Sequence, residues 1–355
     1  MIMYFTSLPS PAPGAGARHW SERSPGSRRP GPKIVGPAVY GGHMSDLLDA
    51  ARAGDHDAFG ELVTPHLRAL HLHCYRMLGS YADADEALQD TLLRAWQSFG
   101  TFAGRAPLLH WLYRISTTTC LKALHRRGRQ PVLTGEVTHL QPYPDAALPD
   151  PAAVVEQHET VALAFITALQ RLPATQRAVL ILRDVLVWSS AEVADLLDTT
   201  VAGVNSALQR ARATLQSDHV RRAAPLSDQE REVLDRFLHA WRRCDIPALA
   251  AVLREDAILN MPPEHAVFLG RQAIADFFAT VPAGGKLDLV QLVETRANGH
   301  PALAAYLPTD DGVCRGYGIM VLTVADGQVA TITGFPDPEI FRYFGLPGTP
   351  PQMPE

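Results

Sequence analysis

The chain has 355 residues, 46 % of them hydrophobic and 19 % charged, so it is long enough for two or three domains with sizeable cores. Its 32 Lys and Arg against 37 Asp and Glu give a net charge of −5, which excludes a uniformly basic coat for nucleic acid. The apolar runs are too short to span a bilayer. Four scattered cysteines without a C-x-x-C pair fit neither a disulfide framework nor a zinc site, and they favour a reducing, cytoplasmic environment.

The first 43 residues are rich in Pro, Gly, Ser and Arg and have no apolar period, so we expect residues 1–43 to be disordered. A start of translation at Met44, just before the first helical pattern, is an alternative interpretation of this segment.

From residue 44 to residue 127 the apolar residues recur at spacings of three and four, which predicts an all-helical domain. A first helical stretch runs from Ser45 to Leu78, and Gly79-Ser80 ends it. A second helix is predicted from about Asp83 to Phe99, and a third from about Leu108 to Arg127.

The following segment, 128–155, has five prolines and is acidic, so it predicts an extended linker rather than a packed element. Helical patterns return over 156–216. They include two helices joined by a short turn, Ala191–Asp198 and Val201–Gln216, which is typical of a helix-turn-helix. Thr200 is the predicted cap of the second of these helices. Residues 217–227 are interpreted as a second linker.

Residues 228–345 change to an α+β pattern, and 346–355 form a tail. The predicted helices are Asp228–Arg243, Ile246–Leu253 and Arg271–Thr280. The predicted strands are Ala257–Met261, Leu287–Ala297, Pro301–Pro308, Gly316–Ala325 and Gln328–Phe335.

Charge is distributed unevenly along the chain. Residues 227–355 hold ten basic and seventeen acidic residues, whereas Thr91–Gly135 holds seven basic residues and no carboxylate. Aromatic residues interleave with this basic run, which favours a nucleic-acid-binding face because cations neutralise phosphates and rings stack on unpaired bases. For two of these rings, Trp96 and Phe99, a place in the helical core is the favoured interpretation.

Three motifs resemble one known family. Asp83–Trp96 (DADEALQDTLLRAW) resembles the region-2 polymerase-binding helix of extracytoplasmic function (ECF) sigma factors, and Phe102–Leu121 resembles their segment that melts and reads the −10 element. Leu172–Leu180 with the helix-turn-helix resembles region 4, which reads the −35 element. Residues 228–345, with GRQAI and FPDPEIFRYFGLP, resemble the SnoaL-like domain fused to some large ECF sigma factors.

The resemblance implies a multidomain protein with two all-α domains, sigma region 2 at 44–127 and sigma region 4 at 156–216, and an α+β SnoaL-like cone at 228–345. It implies a non-enzymatic initiation factor without a cofactor, whose partners are the β′ clamp helices and β flap of core RNA polymerase, and promoter DNA. The implied polymerase-binding residues are Asp83, Glu86, Leu88, Gln89, Asp90, Arg94 and Trp96. The implied −10 contacts are Trp111, Arg114, Thr117, Thr118, Lys122, Arg126 and Arg127. The implied −35 contacts are Thr200, Val201, Asn205, Ser206, Gln209, Arg210 and Arg212.

Some positions depart from the family pattern. Many relatives have Asn where Thr118 stands, and Lys or Arg where Asn205 and Ala207 stand, so region 4 offers fewer phosphate contacts than usual. No consensus promoter is carried over to this chain.

The C-terminal domain is open to three interpretations: regulation in cis, an active pocket enzyme, or a structural appendage. An enzyme would use a carboxylate or imidazole in an apolar pocket, with Asp256, His265, Glu294 and His300 as candidates. The aromatic and Met candidates for core or pocket lining are Trp241, Met261, Phe268, Phe277, Phe278 and Tyr306. Regulation in cis would bring the acidic domain onto the basic 91–135 face, and a small ligand in the pocket could shift that contact.

Two functional alternatives stay open at this point: a ligand-controlled helix-turn-helix regulator, and a SnoaL-type cyclase or isomerase carrying DNA-binding helices. The cluster of His66, His71 and His73 with Cys74 is interpreted as structural rather than as a metal site, and the four cysteines are expected to be buried thiols.

Overall fold

The computed structural model describes residues 42–128, 140–149, 160–217, 228–264 and 266–351. The segment expected to be disordered, 1–43, and the second linker, 217–227, lie almost entirely outside these residues.

The first helical domain contains α1 (Gly42–Arg52), α2 (His56–Val63), α3 (Leu67–Leu78), α4 (Tyr81–Ser98) and α5 (Leu108–Arg127). The predicted bounds of α5 are confirmed. The stretch predicted as one long pattern up to Leu78 is divided into three helices. The carboxylate of Asp55 accepts hydrogen bonds from the N–H groups of Asp57 and Ala58 and so starts α2. Pro65 lies in the short 3₁₀ turn that separates α2 from α3.

The α3–α4 junction depends on Gly79. Its φ is +79°, in the left-handed region that favours glycine, and a Cβ there would lie 2.7 Å from the side chain of Gln170, which would have to shift. Ser80 then starts α4, because its hydroxyl accepts a hydrogen bond from the N–H of Asp83 at 3.2 Å. This tight junction brings a helix of the second helical domain directly against the first.

The second helical domain contains α6 (Leu163–Arg171), α7 (Ala174–Leu180), a π-helical turn (Ile181–Val185), α8 (Ser190–Leu196) and α9 (Val201–Ser217). Ser189 and Glu192 form a capping box at the start of α8. The predicted cap of α9 is confirmed, since the Thr200 hydroxyl accepts the N–H of Gly203 at 3.0 Å. The α8–turn–α9 unit is therefore a helix-turn-helix.

The C-terminal domain contains α10 (Asp228–Arg242), α11 (Ile246–Val252), β1 (Leu253–Asn260), β2 (Val267–Leu269), α12 (Arg271–Thr280), β3 (Gln291–Ala297), β4 (His300–Pro308), β5 (Cys314–Ala325), β6 (Gln328–Phe335) and a 3₁₀ helix (Pro338–Phe344). The six-stranded sheet has the order β2-β1-β6-β5-β4-β3, antiparallel except for β1 and β6. Three predicted bounds were wrong: β1 begins where a helix was expected to end, β3 begins at Gln291 after a 3₁₀ turn, and β5 begins at Cys314. The three-residue β2 was missed because it is too short to show an alternation.

The two faces of this sheet belong to different cores. On one face, Leu303 and Leu322 pack with Trp241 of α10 and Phe278 of α12. On the other face, alternate residues such as Ala304 join a hydrophobic cluster that continues into both helical domains. The C-terminal domain is thus packed onto the helices through a shared apolar core.

Two buried histidines of the first helical domain are held in their neutral form. The Nδ1 of His71 lies 3.0 Å from the hydroxyl of Tyr143, and the Nε2 of His73 lies 2.9 Å from the hydroxyl of Thr117. Burial lowers the pKa of His71 to about 4. For His73, burial is the larger cause and the nearby Arg76 charge the smaller one, and together they lower its pKa to about 3.

The four cysteines were expected to be buried thiols. Cys74 and Cys120 are buried, whereas Cys244 is exposed and Cys314 is half-buried.

These lowered pKa values predict a loss of stability on mild acidification. The unfolded imidazoles protonate at about pH 6.5 but the folded ones do not, so the free energy of unfolding falls from pH 6.5 down to about pH 3–4. By pH 5 each imidazole lowers it by about 2 kcal/mol. Urea titrations at pH 7 and pH 5 measure this fall. His73→Gln reduces the pH dependence, because it removes one of the two imidazoles; a pH dependence equal to that of the native chain contradicts the prediction.

Candidate polymerase and nucleic-acid interface

The solvent-facing side of α4 carries most of the predicted polymerase-binding residues. Glu86 and Gln89 are exposed, and Asp90 is half-buried. Leu93, 55 % exposed, continues this face one turn further and was missed, because an apolar residue in a helical pattern is normally assigned to the core. Leu88 is buried and does not reach this face, and Trp96 is half-buried with its ring 5.2 Å from that of Phe59, as the core interpretation expects.

A groove between α4 and α5 combines residues from two predicted sets. Asp83, Glu86 and Asp90 line its α4 side, and Arg126 and Arg127 line its α5 side. Arg127 forms an ion pair with Asp83 across the groove. The predicted polymerase contacts and the predicted DNA contacts are therefore adjacent in this domain.

A second cleft of about 340 Å³ lies further along α5. It is lined by Trp111, Arg114, Thr118 and Lys122, all predicted −10 contacts, together with Arg94, which was assigned to the polymerase set. The Arg94 guanidinium donates to the Thr119 hydroxyl at 2.9 Å and lies 3.6 Å from Asp90. Three cations around an indole ring form a surface suited to a phosphate chain with a stacked base.

Thr117 does not reach this cleft, and its assignment as a −10 contact was wrong. It is fully buried, and its hydroxyl is bonded to His73 and to the carbonyl oxygen of Tyr113. In the helical repeat of α5, position 117 lies on the face turned towards α3, whereas position 118 is exposed.

The helix-turn-helix closes one side of the basic cleft. Leu196 of α8 lines the cleft, and the carboxylate of Asp195 accepts a hydrogen bond from Arg114 at 2.8 Å. The ring of His110 stacks on Trp188 at 3.7 Å between centroids, and its Nε2 lies 3.7 Å from Glu192. The carboxylates that face Arg114 and His110 thus come from the second helical domain.

The outer face of α9 carries the predicted −35 residues. Val201, Asn205, Ser206, Gln209 and Arg210 are exposed on it. Some of their polar groups are paired within the domain: Asn205 accepts a hydrogen bond from Ser190, and Ser206 accepts one from Arg210. Arg212 forms a two-pronged ion pair with Asp184 at 2.6 and 2.9 Å, so it is held against its own domain.

The described part of the linker is packed, which corrects the expectation of an extended, unpacked segment. We refer to residues 140–149 as the strap. Its Leu140, Tyr143 and Leu148 are buried. Tyr143 lies among the rings of Tyr75, Tyr81 and His71, 4.7–5.5 Å away.

The C-terminal domain binds the strap through the β3–β4 hairpin. Asn298, at the tip of this hairpin and fully buried, exchanges two hydrogen bonds with Tyr143: its Oδ1 accepts the Tyr143 N–H at 2.8 Å, and its own N–H donates to the Tyr143 carbonyl at 2.9 Å. Its Nδ2 donates to the hydroxyl of Tyr75 and to the carbonyl of Val161, at 3.0 and 2.7 Å. One side chain therefore joins the strap and both helical domains.

An ion pair stabilises the same junction. Asp145 of the strap accepts hydrogen bonds from the Arg296 guanidinium at 2.9 Å and from the Gly299 N–H at 2.8 Å. Further along, Tyr343 of the last 3₁₀ helix lies 4.6 Å from the ring of Tyr81. These contacts fall on the strap, α3 and the start of α4. The expectation that the acidic domain would cover the basic 91–135 face is therefore wrong for the residues that the structure describes.

The catalytic candidates do not meet in the pocket of the C-terminal domain. Asp256 is bound to Arg254 at the surface, Glu294 is exposed on β3, and His300 is buried beside the hairpin tip. His265 lies outside the described residues. The expected apolar residues behave as predicted: Trp241, Met261, Phe277 and Phe278 line the pocket, Phe268 packs on Phe277, and Tyr306 is in the core.

A helix-turn-helix beside a basic, aromatic cleft defines a DNA-binding transcription factor. Family models match three parts of the chain: Sigma-70 region 2 over residues 62–130, Sigma-70 region 4 over 162–215, and the SnoaL-like domain over 234–332. The chain is 42 % identical over 319 residues to the ECF RNA polymerase sigma factor SigG of Mycobacterium tuberculosis, a match covering 83 % of this chain and 85 % of SigG. It therefore belongs to the ECF sigma factors, which bind RNA polymerase and direct promoter-dependent initiation.

A second relative supports the whole three-domain fold. The chain is 27 % identical to the sigma factor SigJ of Mycobacterium tuberculosis, over 79 % of this chain and 91 % of SigJ. The crystal structure of SigJ superposes with a TM-score of 0.59 and 24 % identity, covering 79 % of this chain and 97 % of that one. Among the described residues, none of the helices has the length and hydrophobicity to cross a bilayer.

Proposed function

We propose that the structure is the closed, promoter-incompetent state of this sigma factor, and that the C-terminal domain regulates it in cis by binding the strap. In the cytoplasm, the acidic α4 face with Leu93 would contact the β′ clamp helices. The −10 DNA would bind in the cleft of Arg94, Trp111, Arg114 and Lys122, and α9 would read the −35 element. The observation that carries the proposal is Asn298, whose buried amide ties the strap to both helical domains.

DNA geometry requires this closed state to open. The −10 and −35 elements are about 25 base pairs apart, which is about 85 Å at 3.4 Å per base pair. In the closed state α8 contacts the basic cleft of α5 directly, through Asp195 and Arg114. Region 2 and region 4 must separate before they can bind both elements of one promoter.

The strap limits that separation. A free linker from Gly128 to Thr160 could extend about 110 Å. With Tyr143 and Leu148 held against the first helical domain, only residues 149–160 can extend, and these reach about 37 Å. Binding the strap therefore removes about two thirds of the reach that promoter binding would use.

The lining of the C-terminal pocket argues against the enzymatic alternative. Acid–base catalysis most often uses a carboxylate or imidazole within hydrogen-bond reach of the substrate. Among the described residues that line the pocket, none carries either group. We therefore infer a regulatory domain rather than a cyclase or isomerase.

Opening can be measured as a distance. Dyes on Ala103→Cys and Ala213→Cys, with the accessible Cys244 and Cys314 replaced by Ser, report the separation of the two helical domains. We expect energy transfer to fall when core polymerase is added. Unchanged energy transfer in a transcriptionally active complex contradicts the proposal. A separate assay of initiation with and without core polymerase distinguishes a sigma factor from a regulator that binds DNA alone.

Removing the acidic partner of the cleft tests the −10 assignment. We expect Asp195→Ala to bind a mixed-sequence 12-nucleotide single strand about twofold more tightly, because an exposed ion pair of this kind contributes about 0.5 kcal/mol. Arg114→Gln binds it more weakly. Asp235→Ala is the matched control, since it removes an exposed carboxylate of α10 in the C-terminal domain. Equal affinity in all four proteins, measured by fluorescence anisotropy, contradicts the assignment.

A further inference from the structure

The C-terminal domain encloses a cavity of about 160 Å³ between the sheet and α12. Trp241, Phe277 and Phe278 form one wall, and Met320, Gly334 and Phe335 belong to the opposite one. The volume is close to that of an engineered apolar cavity that binds benzene. The cavity therefore has room for one compact ring, with more space at its open mouth.

The lining determines which chemistry can enter. The indole N–H of Trp241 already donates a hydrogen bond to the carbonyl of Val290 at 3.1 Å. Tyr317, at the half-exposed rim, is the one residue with an ionisable side chain among the lining residues that the structure describes. The carboxylate of Glu264 lies outside the lining and acts on Tyr317 from the rim, so an ion inside the cavity would lose its hydration without a charged lining residue to replace it. The lining therefore selects an uncharged, apolar molecule.

The cavity wall is also part of the contact with the sigma domains. Ile319 and Phe335 line the cavity and belong to the hydrophobic cluster that continues into the helical domains. Phe335 leads through Pro336 to Asp337, whose carboxylate accepts a hydrogen bond from Gln141 of the strap at 3.5 Å. Asp337 also caps the 3₁₀ helix that carries Tyr343 onto Tyr81.

We propose that this cavity is a regulatory binding site for an uncharged, mainly apolar molecule of one or two rings, whose occupancy alters the contact between the C-terminal domain and the strap. The regulatory part rests on the cis-regulation proposed above, whereas the binding site does not. Because the same residues form the cavity wall and the docking contact, binding of a ligand and docking of the strap are thermodynamically linked.

Binding is tested on the full chain with toluene and benzyl alcohol as uncharged probes, and benzoate and benzylamine as charged ones of similar size. We expect saturable binding of the uncharged pair alone, seen as a rise in the unfolding midpoint. Gly334→Val, which fills the cavity where a Cβ would lie 3.4 Å from Met261, should weaken binding at least about tenfold. Benzoate binding as tight as toluene, or toluene binding unaffected by Gly334→Val, overturns the site.

A rim variant keeps the test decisive if Gly334→Val folds poorly. Val281→Asp adds a carboxylate at the mouth of the cavity. Val267→Asp adds one away from the cavity, and the two native side chains are equally exposed, Val281 at 56 % and Val267 at 57 %. We expect only Val281→Asp to weaken toluene binding. Equal affinity of both variants overturns the site.

The link to the strap has its own measurement. Toluene affinity is compared between the native chain and Asn298→Gly, in which the strap contact is weakened but the cavity lining is intact. We expect the two affinities to differ by about threefold or more. If toluene binds in the cavity with the same affinity in both proteins, the linkage to the strap is wrong. Regulation in cis is tested separately, by the core-dependent transcription of Asn298→Gly.

Discussion

Asn298→Gly should increase core-dependent transcription by about tenfold or more. The substitution keeps the left-handed backbone of the hairpin tip, where φ is +56°, but removes the side-chain hydrogen bonds to Tyr143, Tyr75 and Val161. These three buried bonds contribute about 1 kcal/mol each, so the closed state loses about 2–3 kcal/mol relative to the open one. A tenfold change needs about 1.4 kcal/mol.

The chain offers a matched control for this variant. Asp326-Gly327 forms a second hairpin turn of the same kind between β5 and β6, with φ of +54° at Asp326. Asp326 pairs with Arg254, and the carbonyl of Gly327 accepts a hydrogen bond from Arg236; both partners belong to the same domain. Asp326→Gly should therefore leave initiation unchanged.

Asn298→Asp refines the test. The carboxylate can still accept the N–H of Tyr143, but it cannot donate to Tyr75 and would face the carbonyl oxygen of Val161 as a buried charge, so an increase at least as large as that of Asn298→Gly is expected. If Asn298→Gly exposes the strap to protease while run-off transcription stays at the native level, regulation through the strap is wrong. Point variants are preferable to deletion of the whole domain, because deletion would expose the apolar cluster that it shares with the helical domains.

Charge reversal on either side of the α4–α5 groove should separate core binding from promoter opening. Asp90→Arg reverses the charge at the centre of the acidic α4 face, and we expect core affinity to fall about tenfold or more, since a reversed charge disrupts the electrostatic complementarity of a contact made through that face. Arg126→Glu changes an exposed end of α5, so it should keep core affinity and lose open-complex formation, because a carboxylate there repels DNA phosphates.

The two reversals are measured together by a core-binding titration and by permanganate reactivity of the melted promoter. Asp235→Arg, on the exposed side of α10 in the C-terminal domain, is the control for charge reversal alone and should match the native chain in both assays. If Asp90→Arg and Arg126→Glu also match it, the residue assignments are wrong. If Arg126→Glu loses core binding as well, the groove is one polymerase contact rather than two adjacent surfaces.

Local patterns were sufficient wherever one helix carries its own signal. The bounds of α5, the Thr200 cap of α9 and the polar outer face of α9 follow from periodicity and capping, which depend on neighbours within a few residues. The same rules failed where burial depends on another element. Thr117 and Thr118 are alike in sequence, yet one is bonded to His73 of α3 and the other is exposed. Leu93 looks like a core residue but faces solvent.

Some features could be predicted without the structure, because each is a property of a contiguous segment. They are the uneven distribution of charge, the two helical domains and the α+β domain, and they were enough to indicate the sigma-factor family. The tertiary structure alone decided how the domains meet. The acidic net charge of residues 227–355 suggested that the C-terminal domain contacts the basic face, but docking of a domain depends on where single groups lie. Asp195 reaches the basic face from the second helical domain instead. The C-terminal domain docks through the buried junction of Asn298 and Tyr143, which are 155 residues apart in the sequence. Contacts at such separations leave no periodic trace along the chain.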